Sequence, residues 1–282
     1  MALHYPFPMG VTTIGRMTCP ASGRPMFMAS STGMSAPRRA GAMLRNAVLG
    51  AGVARALGLS LPVLGVLNLE AAPQVVRALS HMVDKGYPVR LGESIRRDGG
   101  ALLRGNDLLC GAVDVCVTDT LTGNALMKVF ASFTSGGARE TCGWGYGPSV
   151  GEGWDKVISI VSRASGAPVI AGALRYTARA VRADLPGKIR EELRLAAAAG
   201  LEAELAALAP APVPEEAVPP AAVPTDAELH GIDVLDLEAA VHCLWRNGIY
   251  AEAAMGCTGP VIKLPARSRE AARQLLTAAG HL

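Results

Sequence analysis

VDVCVTDTLTGNALMKVFASFTS, residues 113–135, decides the fold class. Its opening VDVCVTD (113–119) reads as a strand, TLTGN (120–124) as a turn and ALMKVFASFTS (125–135) as a helix. A strand feeding a helix through a short polar turn is the unit from which parallel sheets are wound. The same alternation runs on both sides. Residues 26–32 read as a buried strand closed by Gly33, and 35–58 as a helix with Ser35 at its N-cap and Pro37 near its first turn. PVLGVLNL (62–69) is a continuous apolar run, the mark of a parallel strand covered on both faces. A helix over 71–85 stops at Gly86, and 87–94 reads as another strand. Further strands are expected at 156–162 and 167–173, then a helix over about 174–207 interrupted near Leu185-Pro186-Gly187.

The expected architecture is α/β: an open, three-layer, mostly parallel sheet over residues 1–208, with a small C-terminal α+β module. APAPVPEEAVPPAAVPT (209–225) is dense in proline and alanine and reads as a semi-rigid linker. Order resumes over 226–282 with a helix at 233–248, strands at 249–256 and 260–264, and a closing helix at 268–280. A module of this size is small, but such domains do fold alone.

Composition narrows the function. Lys+Arg 27 against Asp+Glu 24 leaves a net charge of +3 spread along 282 residues, which is no footprint for nucleic acid. The N-terminus lacks the charged and apolar regions of a secretory signal, and the longest uncharged apolar stretch, 56–69, is too short to span a bilayer. A cytoplasmic protein without a membrane segment is expected. Six cysteines (19, 110, 116, 142, 243 and 257) without C-x-x-C spacing read as free thiols, and no metal or other cofactor is expected.

Ligands of open α/β sheets collect beyond the carboxyl ends of the strands. Three loops are expected there: SSTGMS (30–35), NLEAAP (68–73) and TDTLTGN (118–124). Thr122, Gly123 and Asn124 stand between strand and helix, where unsatisfied N–H groups favour an anion, and Lys128 adds a full charge one turn on. An ordinary, well-capped β–α turn explains the same residues equally well. Asn68 and Arg16 are weaker candidates for the same cleft, as are Arg38 and Arg39. The glycine-rich stretch 136–154 fits a long loop able to fold over a ligand, but without a phosphate-loop lysine it is no P-loop.

AMGCTGPVIKL (254–264) places Cys257 at a bend between Gly256 and Gly259. Glycines let a second reactant approach the sulfur, and nearby N–H dipoles favour the thiolate. A small residue filling a tight turn is the plainer reading. Cys243 and Cys116 read as packing residues.

VTDTLTGNALMKVFASFTSGG, GWGYGPSVGEGW, ISIVSRASGAPV, ESIRRDGGALLRGNDLL (93–109) and the terminal GCTGP together resemble the alpha subunits of component C of the glycine/sarcosine/betaine reductase complex, over nearly the whole chain. The strand–TLTGN–helix–Lys pattern is more distantly similar to phosphate acyltransferases. The resemblance implies an acetyl thioester on Cys257 that inorganic phosphate attacks to give acetyl phosphate. It implies that Gly256, Thr258 and Gly259 shape the turn and its oxyanion site, and that Thr122, Gly123, Asn124 and Lys128 hold phosphate, with Asn68 and Arg16 nearby. It implies a beta subunit of component C and a selenoprotein carrier as partners. Members of that family carry a further N-terminal segment, so the opening βα units are expected to be incomplete here. Two alternatives stand beside this reading: a non-catalytic assembly subunit, and a free-standing phosphate acyltransferase using a soluble thioester.

Overall fold

VTTIGRMT is rich in β-branched residues (Val11, Thr12, Thr13, Ile14 and Thr18), and it forms the first strand, β1 (Val11–Thr18). It belongs to a computed structural model that describes residues 7–96, 100–209, 217–232, 236–256 and 259–282. The chain divides into two compact units, residues 1–209 and 210–282.

In the first unit β1 is followed by β2 (Pro25–Gly33), α1 (Arg39–Ala56), β3 (Val63–Leu67), α2 (Ala72–Asp84), β4 (Arg90–Leu91), β5 (Leu102–Leu103), α3 (Gly105–Cys110), β6 (Val115–Val117) and α4 (Thr120–Ser132). Then come β7 (Gly147–Gly151), β8 (Ser159–Ile160), α5 (Ala167–Arg182), α6 (Leu185–Ala198) and α7 (Leu201–Ala207). The sheet order is β4-β3-β6-β2-β1-β7-β8, with β5 also paired to β3. Pairing is parallel among β2, β6, β3, β4 and β5 and antiparallel along β2-β1-β7-β8. The result is a mixed, mostly parallel sheet with helices on both faces.

Each face has its own core. On one, Leu44, Val48, Leu64, Leu79, Val115 and Tyr176 join α1, α2, α5 and α6 to the strands. On the other, Met17, Met28, Cys116, Met127 and Phe130 seat α3 and α4. Helix α1 lies so close to the sheet that a Cβ at Gly50 would stand 2.7 Å from Val115 Cγ1 and 2.9 Å from the Ala29 Cβ.

Several sequence expectations change. APVIAGA (167–173) is the start of α5, not a strand: Pro168 fits the first helical turn, and Val169, Gly172, Ala173, Tyr176 and Ala180 are buried at helical spacing. The helix expected over 174–207 does break beside Leu185, where Asp184 (φ 49°) adopts left-handed backbone, but α5 begins earlier, at Ala167, and a second break falls at Gly200 (φ 92°). Ser35 does not cap α1; the N-cap is Arg38, and the Ser35 hydroxyl donates to Asn46 Oδ1 (2.7 Å). The glycine-rich 136–154 stretch is not one long loop, because it contains β7, paired to β1.

The second unit is described by itself. Strands β9 (Ala227–Leu229), β10 (Glu252–Gly256) and β11 (Gly259–Leu264) form an antiparallel sheet in the order β10-β11-β9. Helices α8 (Leu237–Arg246) and α9 (Arg269–Ala278) complete the unit. Leu229, Leu244, Ile262, Leu264, Ala272 and Leu276 make its core. The β10–β11 pairing runs out to Gly256 opposite Gly259, whereas Cys257 and Thr258 lie outside the described residues.

Candidate functional site

The parallel strands β2, β3 and β6 share a carboxyl end, and there the helices α1, α2 and α4 begin. The TLTGN segment is not a turn but the first turn and a half of α4. Asp119 is the N-cap. Its Oδ1 accepts from the Thr122 amide (2.8 Å) and its Oδ2 from the Thr122 hydroxyl (3.1 Å). Asp119 caps α4 because a short carboxylate meets both the orphan amides and the positive end of the helix dipole.

Hydroxyls then knit this turn to the sheet. Thr120 Oγ1 shares a hydrogen bond with Ser30 Oγ (2.9 Å), which Thr12 Oγ1 approaches to 2.6 Å. Asn124 Nδ2 donates to the Ser31 carbonyl (2.8 Å), and Ser31 Oγ donates to the Tyr146 carbonyl (2.6 Å). From the opposite face Asn46, fully buried on α1, donates to the Thr118 carbonyl (3.1 Å). Gly123 lets the helix come this close: a Cβ there would stand 1.9 Å from the Ser30 carbonyl oxygen. Thr122, Gly123 and Asn124 are therefore brought together, with their polar groups largely engaged in fixing α4 on β2.

Lys128 lies eight residues beyond Thr120, roughly 12 Å along the helix at 1.5 Å per residue. It shares a face with Asn124 at four-residue spacing. Its Nζ donates to Ser162 Oγ (3.3 Å), stands 3.8 Å from Glu140 Oε1 and lies 5.4 Å from the centre of the Tyr146 ring. The Lys128 side chain is half exposed, so its remaining N–H bonds can meet an anion from solvent. Glu140 is buried and accepts from Tyr146 Oη (2.7 Å) and Ser165 Oγ (2.6 Å). Burial first, and then this hydrogen bond, pushes the Tyr146 phenol far above its usual range, so it stays a neutral donor.

Asn68 follows β3 at the carboxyl end and is exposed, its amide donating to the Leu103 carbonyl (2.9 Å). Near it, Arg39 pairs with Glu70 (3.0 Å) and approaches Asp119 (3.9 Å), so this arginine faces carboxylates from two of the loops. Arg16 stands apart. Gly15 faces Met127 of α4, so its neighbour Arg16 points to the other side of the sheet. There its guanidinium lies 4.3 Å from the Trp144 ring centre, and burial lowers its pKa. Gly256 and Gly259 are paired across β10 and β11.

Sequence reasoning missed Glu140, Tyr146, Ser162 and Ser165. One of two acids in a glycine-rich stretch, and two serines five and two positions before α5, were the available signals. Among the described residues no group of three or more His, Cys, Asp or Glu is placed to hold a metal, and no helix is long and apolar enough to cross a membrane.

Residues 1–263 match the family described as fatty acid synthesis protein. The chain is 47% identical, over 285 aligned positions, to the glycine/sarcosine/betaine reductase complex component C subunit alpha of Peptoclostridium acidaminophilum. That alignment covers 99% of this chain and 74% of the relative. The α/β sheet, the polar start of α4 and this identity agree, and the chain belongs to the fatty acid synthesis protein family and, within it, to the component C alpha subunits of the glycine/sarcosine/betaine reductase complex.

Proposed function

We propose that this chain receives an acetyl group as a thioester on Cys257 and transfers it to inorganic phosphate, giving acetyl phosphate. A phosphate oxygen adds to the thioester carbonyl, the tetrahedral oxyanion collapses, the C–S bond breaks, and the thiolate of Cys257 leaves. Donors fixed before the reaction serve such an oxyanion best, and backbone amides around Gly256, Thr258 and Gly259 are assigned that role. The observation that carries the phosphate half is Lys128: a half-exposed ammonium held on Ser162 and sharing a helix face with Asn124. Thr122 and Gly123 hold that helix in place, and Asn68 lies at the same carboxyl end. The linker of about 17 residues over 209–225 would give a carried acyl group a high local concentration. The beta subunit of component C and a selenoprotein carrier are the proposed partners, and the cytoplasm the proposed site of action.

The family description favours a second reading, a free-standing phosphate acyltransferase whose acyl donor is a soluble thioester. Arsenate separates the two, because acetyl arsenate hydrolyses at once and makes turnover measurable without the partners. Arsenate-dependent consumption of acetyl phosphate that disappears in Cys257→Ser supports the carried thioester. Turnover that needs an added soluble thiol and survives Cys257→Ser supports the second reading. A folded wild-type chain with neither activity would refute both and leave a structural subunit.

A further inference from the structure

Glu140 joins three segments that are distant in sequence. Its backbone brackets the turn before α5: the Glu140 amide donates to the Ala164 carbonyl (2.9 Å), and the Gly166 amide donates to the Glu140 carbonyl (2.8 Å). Its side chain accepts from Ser165 Oγ (2.6 Å), and that same oxygen takes the Ser162 amide (3.1 Å). Tyr146 donates to the other carboxylate oxygen (2.7 Å) and presents its ring to the Lys128 ammonium at 5.4 Å. Lys128 itself stands 3.8 Å from Glu140 and donates to Ser162 Oγ (3.3 Å), which also accepts the Ala164 amide (3.0 Å).

A carboxylate that is 2% exposed is costly unless its oxygens are satisfied. Here two hydroxyls satisfy them, so the ammonium is drawn near the carboxylate without being consumed by it. Among the described residues, the 3.8 Å separation leaves the ammonium one close acceptor, Ser162, and the side chain is half exposed to solvent. Long lysine side chains lose much entropy when fixed, and a buried opposite charge is what fixes this one.

We infer that Glu140 is a positioning residue: it locks Lys128 and the 162–166 turn into one corner that binds inorganic phosphate. This rests on the phosphate-binding half of the reading above and names the residue that makes the corner. Glu140 touches neither phosphate nor the acyl group; it acts through Lys128 and Ser162.

The test is phosphate binding by 31P line broadening, which needs no turnover, on wild type, Glu140→Gln, Lys128→Met and the double variant. Glutamine keeps the size and can accept from one of the two hydroxyls, turning its amide nitrogen toward the other, and lacks the charge. The expected result is about tenfold weaker binding in Glu140→Gln, a coupling ordinary for residues in contact, and no further loss when Lys128 is already Met. A merely structural role would lower the melting temperature and weaken both backgrounds alike. Unchanged binding in Glu140→Gln, additive losses, or no phosphate binding by wild type at tens of millimolar would each overturn the inference. Should Glu140→Gln fail to fold, Tyr146→Phe removes one of the two hydroxyls holding the carboxylate and should weaken binding about threefold, again only while Lys128 is present. Phosphate binding with this coupling but without acyl transfer would refute the proposed function and leave Glu140 in its role.

Discussion

Replacing Gly123 by alanine tests whether α4 is held at the height above the sheet that the proposed phosphate site needs. The added Cβ would stand 1.9 Å from the Ser30 carbonyl oxygen, 3.1 Å from its carbon and 2.9 Å from Thr118 Cγ2. Carbon and oxygen approach no closer than about 3.3 Å in ordinary weak contacts, so the helix or strand must move by roughly 1.4 Å. The obstacle is backbone in a paired strand, which cannot rotate away as a side chain would. A contact this short with backbone belongs to the upper part of the overpacking range, about 2–3 kcal/mol, and better helix propensity offsets about 1 kcal/mol of it, leaving about 1–2 kcal/mol. In a unit of this length 1 kcal/mol is worth about 2–4 °C, so the variant should melt lower by ~2–8 °C. The effect on turnover should be larger in proportion, because a displacement of about 1 Å at a reacting group can cost a factor of ~100.

The assay is arsenate-dependent loss of acetyl phosphate, run well below both melting temperatures so that unfolding does not enter. Gly41→Ala is the control: it lies in α1, and its Cβ would meet only Leu205 Cδ2 at an ordinary 3.6 Å. That variant should melt at or slightly above wild type and keep full activity. A Gly123→Ala protein that melts within 1 °C of wild type would refute the packing argument. One that melts lower yet turns over normally would show that the first turn of α4 plays no part in binding phosphate.

The thiols and one buried acid supply further tests. Burial pushes Cys116 up to about 12 and Cys19 up to about 11, so iodoacetamide at neutral pH should leave both unmodified in the folded chain. Peptide mapping that finds either one labelled before unfolding would contradict the burial of that core. Glu192 is buried against Arg55 (2.7 Å) and Tyr87 Oη (2.6 Å), and desolvation outweighs both partners and raises its carboxyl pKa. A raised folded pKa gives stability that is present at low pH and lost as pH rises through it. Glu192→Gln has no such loss, so its melting temperature relative to wild type should climb as pH rises above the ordinary carboxylate range, and a flat or falling difference would refute the sign.

Strand–helix alternation around 113–135 was enough to read the parallel half of the sheet, because β2, β3 and β6 are apolar runs with helices between them. The antiparallel half was harder. β1 has no clean alternation and carries Gly15, Arg16 and three threonines, and β7, Gly-Pro-Ser-Val-Gly, has almost no strand propensity and exists because β1 pairs with it. APVIAGA misled because a short apolar run looks alike in a buried strand and in a helix, and only the Pro168 position tells them apart. For the site, the TLTGN residues were legible as a polar strand-to-helix junction but read as a turn, because Gly123 and Asn124 favour turns, whereas Glu140 and Ser162 were not legible at all. Their relation to Lys128 is made by chain reversals across 12 and 34 residues, which no local spacing records.

Helix α4 ties these findings together. Lys128 is the only ionisable side chain within Thr120–Ser132, and Leu121 and Val129 are exposed, so neither surface ion pairs nor an apolar outer face against the described residues sets its position. What sets it is the Asp119 cap, the close approach at Gly123 and the Met127–Phe130 contact with the core below. A helix is stiff over two turns, so any lift at Gly123 is carried to Lys128 one turn further on. Gly123 thus fixes the ammonium from the strand side while Glu140 fixes it from the turn side. Ser162 is the atom both must satisfy, at a hydrogen bond of 3.3 Å that a displacement of about 1 Å would break. That shared dependence couples a glycine, which contacts no ligand, and a buried acid, which faces none, to the proposed phosphate site.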